Sequence, residues 1–184
     1  MLAYFFFHWK LANVHEGDYE QRLRDFHTAL KAAPPEGFTE SWSVVLNGVP
    51  WANAGGSSYE DWYLVRNSGD LDPLNDAAIT ASRKVPHERA ASGAAGGSAG
   101  LYRVRAGEMI SAPRFTSWFE KPAGWSYGTF LEALQPAINA GALWQRQMAL
   151  GPGEFCLHTS QPVPLPQGIT AHSSELRAVF PDSA

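Results

Sequence analysis

The chain has little charge and almost no sulfur chemistry. Of its 184 residues, 17% are charged, and the one cysteine is Cys156. A lone thiol excludes an internal disulfide and a cysteine-built zinc site. No run of Lys or Arg occurs, and 14 basic against 18 acidic side chains leave a formal charge of −4. That balance argues against a groove that tracks nucleic-acid phosphates. No apolar stretch approaches the ~18 residues of a membrane span. Residues 2–7 are apolar but carry no basic flank and stop at His8, so they do not read as a signal peptide. His15-Glu16 and His87-Glu88 begin like a helical zinc motif, yet Tyr19 and Ala91 stand where its second histidine belongs, so no metal is expected. The glycine stretch GAAGGSAG lacks dinucleotide-loop spacing and precedes a strand. These absences predict a cytoplasmic protein, monomeric or homodimeric, whose partner is a small organic molecule and neither nucleic acid nor membrane.

What the chain does have is rings and turn formers. It carries 7 Trp, 6 Tyr and 10 Phe alongside 17 Gly and 13 Pro, with 45% apolar residues overall. This excludes intrinsic disorder and predicts short elements around an aromatic interior. Residues 4–11 read as a strand and Asp18 as the N-cap of a helix, with Gln21 as its capping-box partner. Tyr19, Leu23, Phe26 and Leu30 share one face of that helix, which Pro34-Pro35 ends. Strands follow at 42–46 and 62–66, separated by an Asn47-Gly48 turn and a loop over 52–58. A second helix opens near Asp70 and is broken or restarted at Pro86, and residues 93–100 read as a linker before a strand at 101–105. From Arg114 the order begins again. A strand at 114–120 leads to a helix capped by Ser126, kinked at Pro136 and ended near Gly141, then to strands at 143–150 and 154–158 around a Gly151-Pro152-Gly153 turn. A last strand spans 174–180, and Pro162, Pro164 and Pro166 leave no regular second helix in this half.

Both halves therefore follow the split βαβ order, with FFFHWK matching FTSWFEK and YEQRLRDFHTAL matching YGTFLEALQPAI. The fold class is α+β: two tandem ferredoxin-like units, 1–107 and 108–184, with antiparallel sheets packed face to face in one compact domain. In this doubled order, and in the segments DWYLVRNSGDLDPLNDAAI and KVPHERAA, the chain resembles the dimeric α/β-barrel superfamily. The resemblance implies two ferredoxin-like units packed sheet to sheet. It allows a monooxygenase that needs no metal, a haem-dependent chlorite dismutase-like enzyme, or a protein without catalysis.

Strand alternation nominates a site. If Phe5, Phe7, Trp9 and Leu11 face helices, the space between the sheets receives Tyr4, Phe6, His8 and Lys10. The same rule sends Arg103, Trp118 and Glu120 inward, away from Tyr102, Val104 and Phe119. The expected enzyme uses His8 as general base, Glu120 to hold its tautomer, Trp118 as a stacking wall and Lys10 or Arg103 for an anionic group. It is an oxygenase or isomerase without cofactor, acting on an aromatic or anionic compound. The alternatives are a binding protein using the same cavity and a haem protein with His87 or His158 as axial ligand. His87, beside Lys84, Glu88 and Arg89, is also placed to contact substrate as part of a lid. Gly124-Trp125-Ser126-Tyr127-Gly128 matches G-x-S-x-G, with Glu154 and His158 or His172 as potential triad partners. A helix-capping role for Ser126 is the simpler reading.

Overall fold

A computed structural model describes residues 1–47, 49–51, 57–111, 113–148 and 152–181. Gly48 of the Asn47-Gly48 turn, most of the 52–58 loop, the Gly151 corner and the end of the 143–150 strand lie outside them.

Strand β1 (Leu2–Lys10) runs into helix α1 (Glu16–Ala32), followed by β2 (Phe38–Leu46) and β3 (Ser58–Val65). A short 3-10 turn leads to α2 (Leu71–Ala78) and α3 (Ala81–Ala91), and β4 (Ala94–Gly107) closes the first half. The second half comprises β5 (Phe115–Phe119), α4 (Tyr127–Ile138), β6 (Gly141–Met148), β7 (Phe155–Thr159), β8 (Ala171–Glu175) and β9 (Arg177–Phe180). The strands form one antiparallel sheet in the order β8-β5-β7-β6-β4-β1-β3-β2-β9. Within it lie two split βαβ arrangements, β4-β1-β3-β2 and β8-β5-β7-β6, joined along β4 and β6. At the other end, β8 pairs with β5 and β9 pairs with β2. Leu176, between them, donates its N–H to Arg114 O at 2.7 Å, so the sheet is nearly closed.

Local chemistry accounts for most boundaries. Tyr19, Leu23, Phe26 and Leu30 are buried along one face of α1. The N-cap is His15, whose ring accepts from Gly17 N–H, and Asp18 lies in the first turn, where its charge suits the helix dipole. Ser126 does cap α4, its Oγ accepting from Thr129 N–H at 3.1 Å. The break between α2 and α3 comes at Ile79-Thr80, where Ala81 has φ +50°, and Pro86 sits inside α3. Gly141 opens β6 and does not end the helix. A Cβ there would meet His158 O at 1.9 Å.

The glycine stretch is a strand, not a linker. Gly96, Gly97 and Gly100 pair with Trp9, His8 and Phe5 of β1. A Cβ on Gly97 would lie 2.6 Å from Phe7 O and 2.7 Å from Phe6 Cζ, and one on Gly96 would lie 2.7 Å from Trp9. The rings of β1 fold over this part of β4, and ladder hydrogen bonds override glycine's poor β-propensity.

Three apolar clusters hold the layers. The barrel interior contains Phe5, Phe7, Trp42, Trp62, Tyr102, Trp118 and Trp144. A second cluster joins α1, α2 and α3 to the outer face of the first half, and a third seats α4 on β5, β6 and β7. Val163, Leu165 and Ile169 of the proline-rich segment pack onto the third, covering sheet that the missing helix leaves bare.

Candidate functional site

The space between the two half-sheets is packed. Trp62 lies 4.8 Å from Phe5, 5.2 Å from Trp144, 5.8 Å from Trp42 and 6.1 Å from Trp118, ring centre to ring centre. The expected facing of the first half is reversed. Phe5, Phe7, Trp9, Tyr102 and Val104 point into the barrel, while Tyr4, Phe6 and His8 lie under the helices. The second half follows the expectation, with Trp118 inward and Phe119 toward α4. The reversal has a physical cause. Tyr and His carry polar atoms, and the helix side offers them partners that a ring-filled barrel does not.

Among the described residues, the interior holds one carboxyl, Glu60, whose oxygens accept from Trp118 Nε1 at 3.0 Å and Trp62 Nε1 at 3.3 Å. Burial pushes its pKa up to about 7, against the opposing pull of the two indole N–H groups. His158 is enclosed by Trp62, Trp42 and Trp144, and burial brings it down to about 3.

A cleft of about 730 Å³ opens between the outer face of β1, β3 and β4 and the helices α1–α3. Tyr4, Phe6, Tyr63, Gly96 and Gly97 form its floor; Leu23, Phe26 and Leu74 form its apolar walls. Groups capable of proton chemistry line it, among them His8, Tyr19, Asp61 and His87. His8 Nε2 lies 3.1 Å from Asp61 Oδ2, and its Nδ1 lies 2.7 Å from the Tyr19 hydroxyl. Nε2 meets the carboxylate at ion-pair distance without hydrogen-bond geometry; since a carboxylate only accepts, a neutral imidazole here would carry its hydrogen on Nε2 and accept from Tyr19 O–H at Nδ1. The His8 ring stacks between Phe6 at 5.0 Å and Tyr59 at 5.5 Å, which sets its plane.

Asp61 also accepts from Tyr63 O–H at 3.1 Å, and its Oδ1 lies 3.5 Å from His27 Nε2. Burial alone would raise this carboxyl, but the imidazoles of His8 and His27 outweigh it and hold Asp61 well below the usual carboxylate range. Burial, reinforced by the Asp61 charge, raises Tyr19 and Tyr63, so both phenols keep their protons. His87 Nδ1 is buried without a hydrogen-bond partner. Burial lowers this imidazole despite Glu88.

Of the nominated residues, His8 and His87 meet in the cleft. Glu120 is exposed and accepts from Glu154 N–H at 3.0 Å; Asp61 occupies the place expected for it beside His8. Lys10 donates to Val14 O at 2.8 Å, and Arg103 is exposed on the outer sheet face. Trp118 is a barrel-core ring. Ser126 is a helix cap and His158 is walled in, so no triad forms around the G-x-S-x-G stretch. Asp61, Tyr19, His27 and Tyr63 escaped the sequence reading. The available signal was Glu60-Asp61, adjacent carboxylates in a strand otherwise rich in rings, where alternation sends one to each face.

A haem, which the superfamily resemblance allows, does not fit these residues. The indoles around His158 leave no room for a porphyrin. The cleft beside His87 is lined by Asp61 and Asp72 and, among the described residues, by no Lys or Arg to hold propionates.

No family model matches the chain, and a search of curated proteins found no match. Solved structures do match. An anthrone oxidase-like protein aligns with TM-score 0.54 and 10% identity over 100% of this chain and 95% of its own. A candidate monooxygenase from Lactobacillus acidophilus NCFM aligns with TM-score 0.60 and 10% identity, covering 97% of this chain and 94% of its own. These likenesses extend over nearly the whole molecule and establish its kind of fold.

Proposed function

We propose that the cleft binds an uncharged aromatic molecule and that His8 removes a proton from it, in an oxygenase- or isomerase-type reaction. The observation that carries this reading is the buried Tyr19–His8–Asp61 chain at a cleft lined mainly by rings and aliphatic groups. Asp61 fixes the tautomer and stabilises the imidazolium that forms, and Tyr19 passes the proton between cleft and imidazole. His87, with its unpaired nitrogen, supplies a hydrogen bond to a ligand oxygen. An anionic ligand is disfavoured because Lys10 and Arg103, the cations assigned to it, lie elsewhere. The second reading is a binding protein without turnover. It is favoured by the Tyr19 hydroxyl on His8 Nδ1 and by the 1% exposure of that residue.

Anthrone is a suitable probe, since it is a neutral tricyclic ketone with an acidic methylene and one structural neighbour is described as anthrone oxidase-like. Binding is measured by calorimetry without oxygen, and methylene exchange by NMR in deuterated water. Binding with exchange that His8→Ala abolishes is the expected result. Binding with no exchange above background selects the second reading, and no binding of anthrone or its phenolic analogues overturns both. In air, the enzymatic reading predicts uptake of one O2 per anthrone, giving anthraquinone and water.

A further inference from the structure

The mechanism above uses one oxygen of Asp61, and a second imidazole stands 3.5 Å from the other, at ion-pair distance without a hydrogen bond. His27, on α1, faces Oδ1 as His8 faces Oδ2. The His27 ring lies parallel to Tyr63 at 5.1 Å, with an interplanar angle of 1°, and stacks on Phe180 at 5.2 Å. Its Nδ1 is 2.8 Å from Ser41 Oγ, and the residue is fully buried. A ring fixed on two faces and at one nitrogen leaves Nε2 facing the carboxylate at 3.5 Å, outside hydrogen-bond geometry. His27 does not line the cleft.

We infer that His27 is a positioning residue whose charge is coupled through Asp61 to His8. It holds the carboxylate so that Oδ2 meets His8 and the Tyr63 hydroxyl together. When His27 takes a proton, Asp61 pairs with that cation and presents less negative charge to His8. When His27 is neutral, the whole carboxylate charge supports an imidazolium at His8. Two imidazoles on one carboxylate therefore take up protons as a pair, not as independent sites. The groups facing the pair are Asp61, Tyr59 and Tyr63 from β3, Tyr19 from α1, and the neutral Ser41 from β2 and Phe180 from β9. The tyrosines keep their protons across the working range, so the carboxylate is the group that links the imidazoles. The consequence for turnover rests on the base role proposed for His8; the coupling itself does not.

The test uses full-length protein labelled with 15N-histidine and follows the ring nitrogens from about pH 5 to 9, the range in which imidazoles change charge. In the unmodified protein, the His8 and His27 curves are expected to share an inflection. His27→Gln keeps a donor to Oδ1 but cannot titrate, so the His8 curve loses that inflection and becomes single-step. Independent single-step curves for the two rings overturn the inference, and that result needs no variant to fold. A His8 curve unchanged in folded His27→Gln overturns it too. For anthrone exchange, the pH profile of His27→Gln loses one inflection while KM stays unchanged. Coupled titration without anthrone binding would uphold this inference and defeat the functional reading; exchange with uncoupled rings would do the reverse.

Discussion

Replacing Glu60 by Gln is expected to stabilise the protein at alkaline pH, an unusual outcome for a fully buried residue with two hydrogen bonds. The carboxyl titrates at about 7 in the folded chain against an ordinary value of 4.5. A folded-state value above the unfolded one means that, between the two, the native state holds a proton that the unfolded state has released. Stability therefore falls as pH rises through this window. At ~1.4 kcal/mol per pH unit, the loss amounts to about 3 kcal/mol and is complete above about pH 7. Gln has no charge to bury and keeps one acceptor for Trp118 Nε1, but it cannot accept from Trp62 Nε1 as well. That lost bond costs about 1 kcal/mol, so Glu60→Gln should gain about 2 kcal/mol at pH 8 and lose about 1 kcal/mol near pH 4. Urea denaturation midpoints for both proteins from pH 4 to 8 read this directly, because the difference cancels every other titrating group. Parallel curves, or a variant less stable at pH 8, would refute the view of Glu60 as a carboxyl forced to ionise inside the barrel.

Asp61 is expected to behave in the opposite sense. Its folded-state pKa is depressed, so its contribution is full above the ordinary carboxylate value and declines as pH falls below about 4. Asp61→Asn should lack that acid-dependent loss while being less stable by about 3 kcal/mol near neutrality, the scale for breaking a buried ion pair; thermal melts at pH 3 and pH 7 check both points. Gly97→Ala puts a methyl against the Phe7 carbonyl and the Phe6 ring. It should cost about 1–3 kcal/mol and weaken anthrone binding, whereas Gly128→Ala, where a Cβ would meet nothing closer than Ser126 Oγ at 3.6 Å, should leave binding intact. Ser126→Ala removes the α4 cap and should cost about 1 kcal/mol, with anthrone exchange unchanged; loss of exchange would revive the nucleophile reading of that serine.

Local sequence was enough to place much of the scaffold. Four apolar residues on one face specified α1, Ser126 specified the start of α4, and the prolines after 160 ruled out a helix that the structure replaces with packed irregular chain. These signals are short-range, set by helix period, capping chemistry and the missing N–H of proline. His8 and His87 were legible as site candidates because polar groups beside rings are conspicuous in a chain with so little charge. Their partners were not legible, since Asp61 and His27 are remote in sequence and meet only when β3 and α1 pack.

What the sequence determined by itself is which residues of a strand share a face. Which face turns inward was decided by tertiary structure. In β1, Phe5, Phe7 and Trp9 alternate with Tyr4, Phe6 and His8, so both faces are aromatic and hydrophobicity cannot rank them. Closing the sheet brought the rings of both halves into one barrel core, and the phenols and imidazoles found their partners on the helix side. The candidate site moved with them, from the middle of the barrel to the cleft beneath the helices.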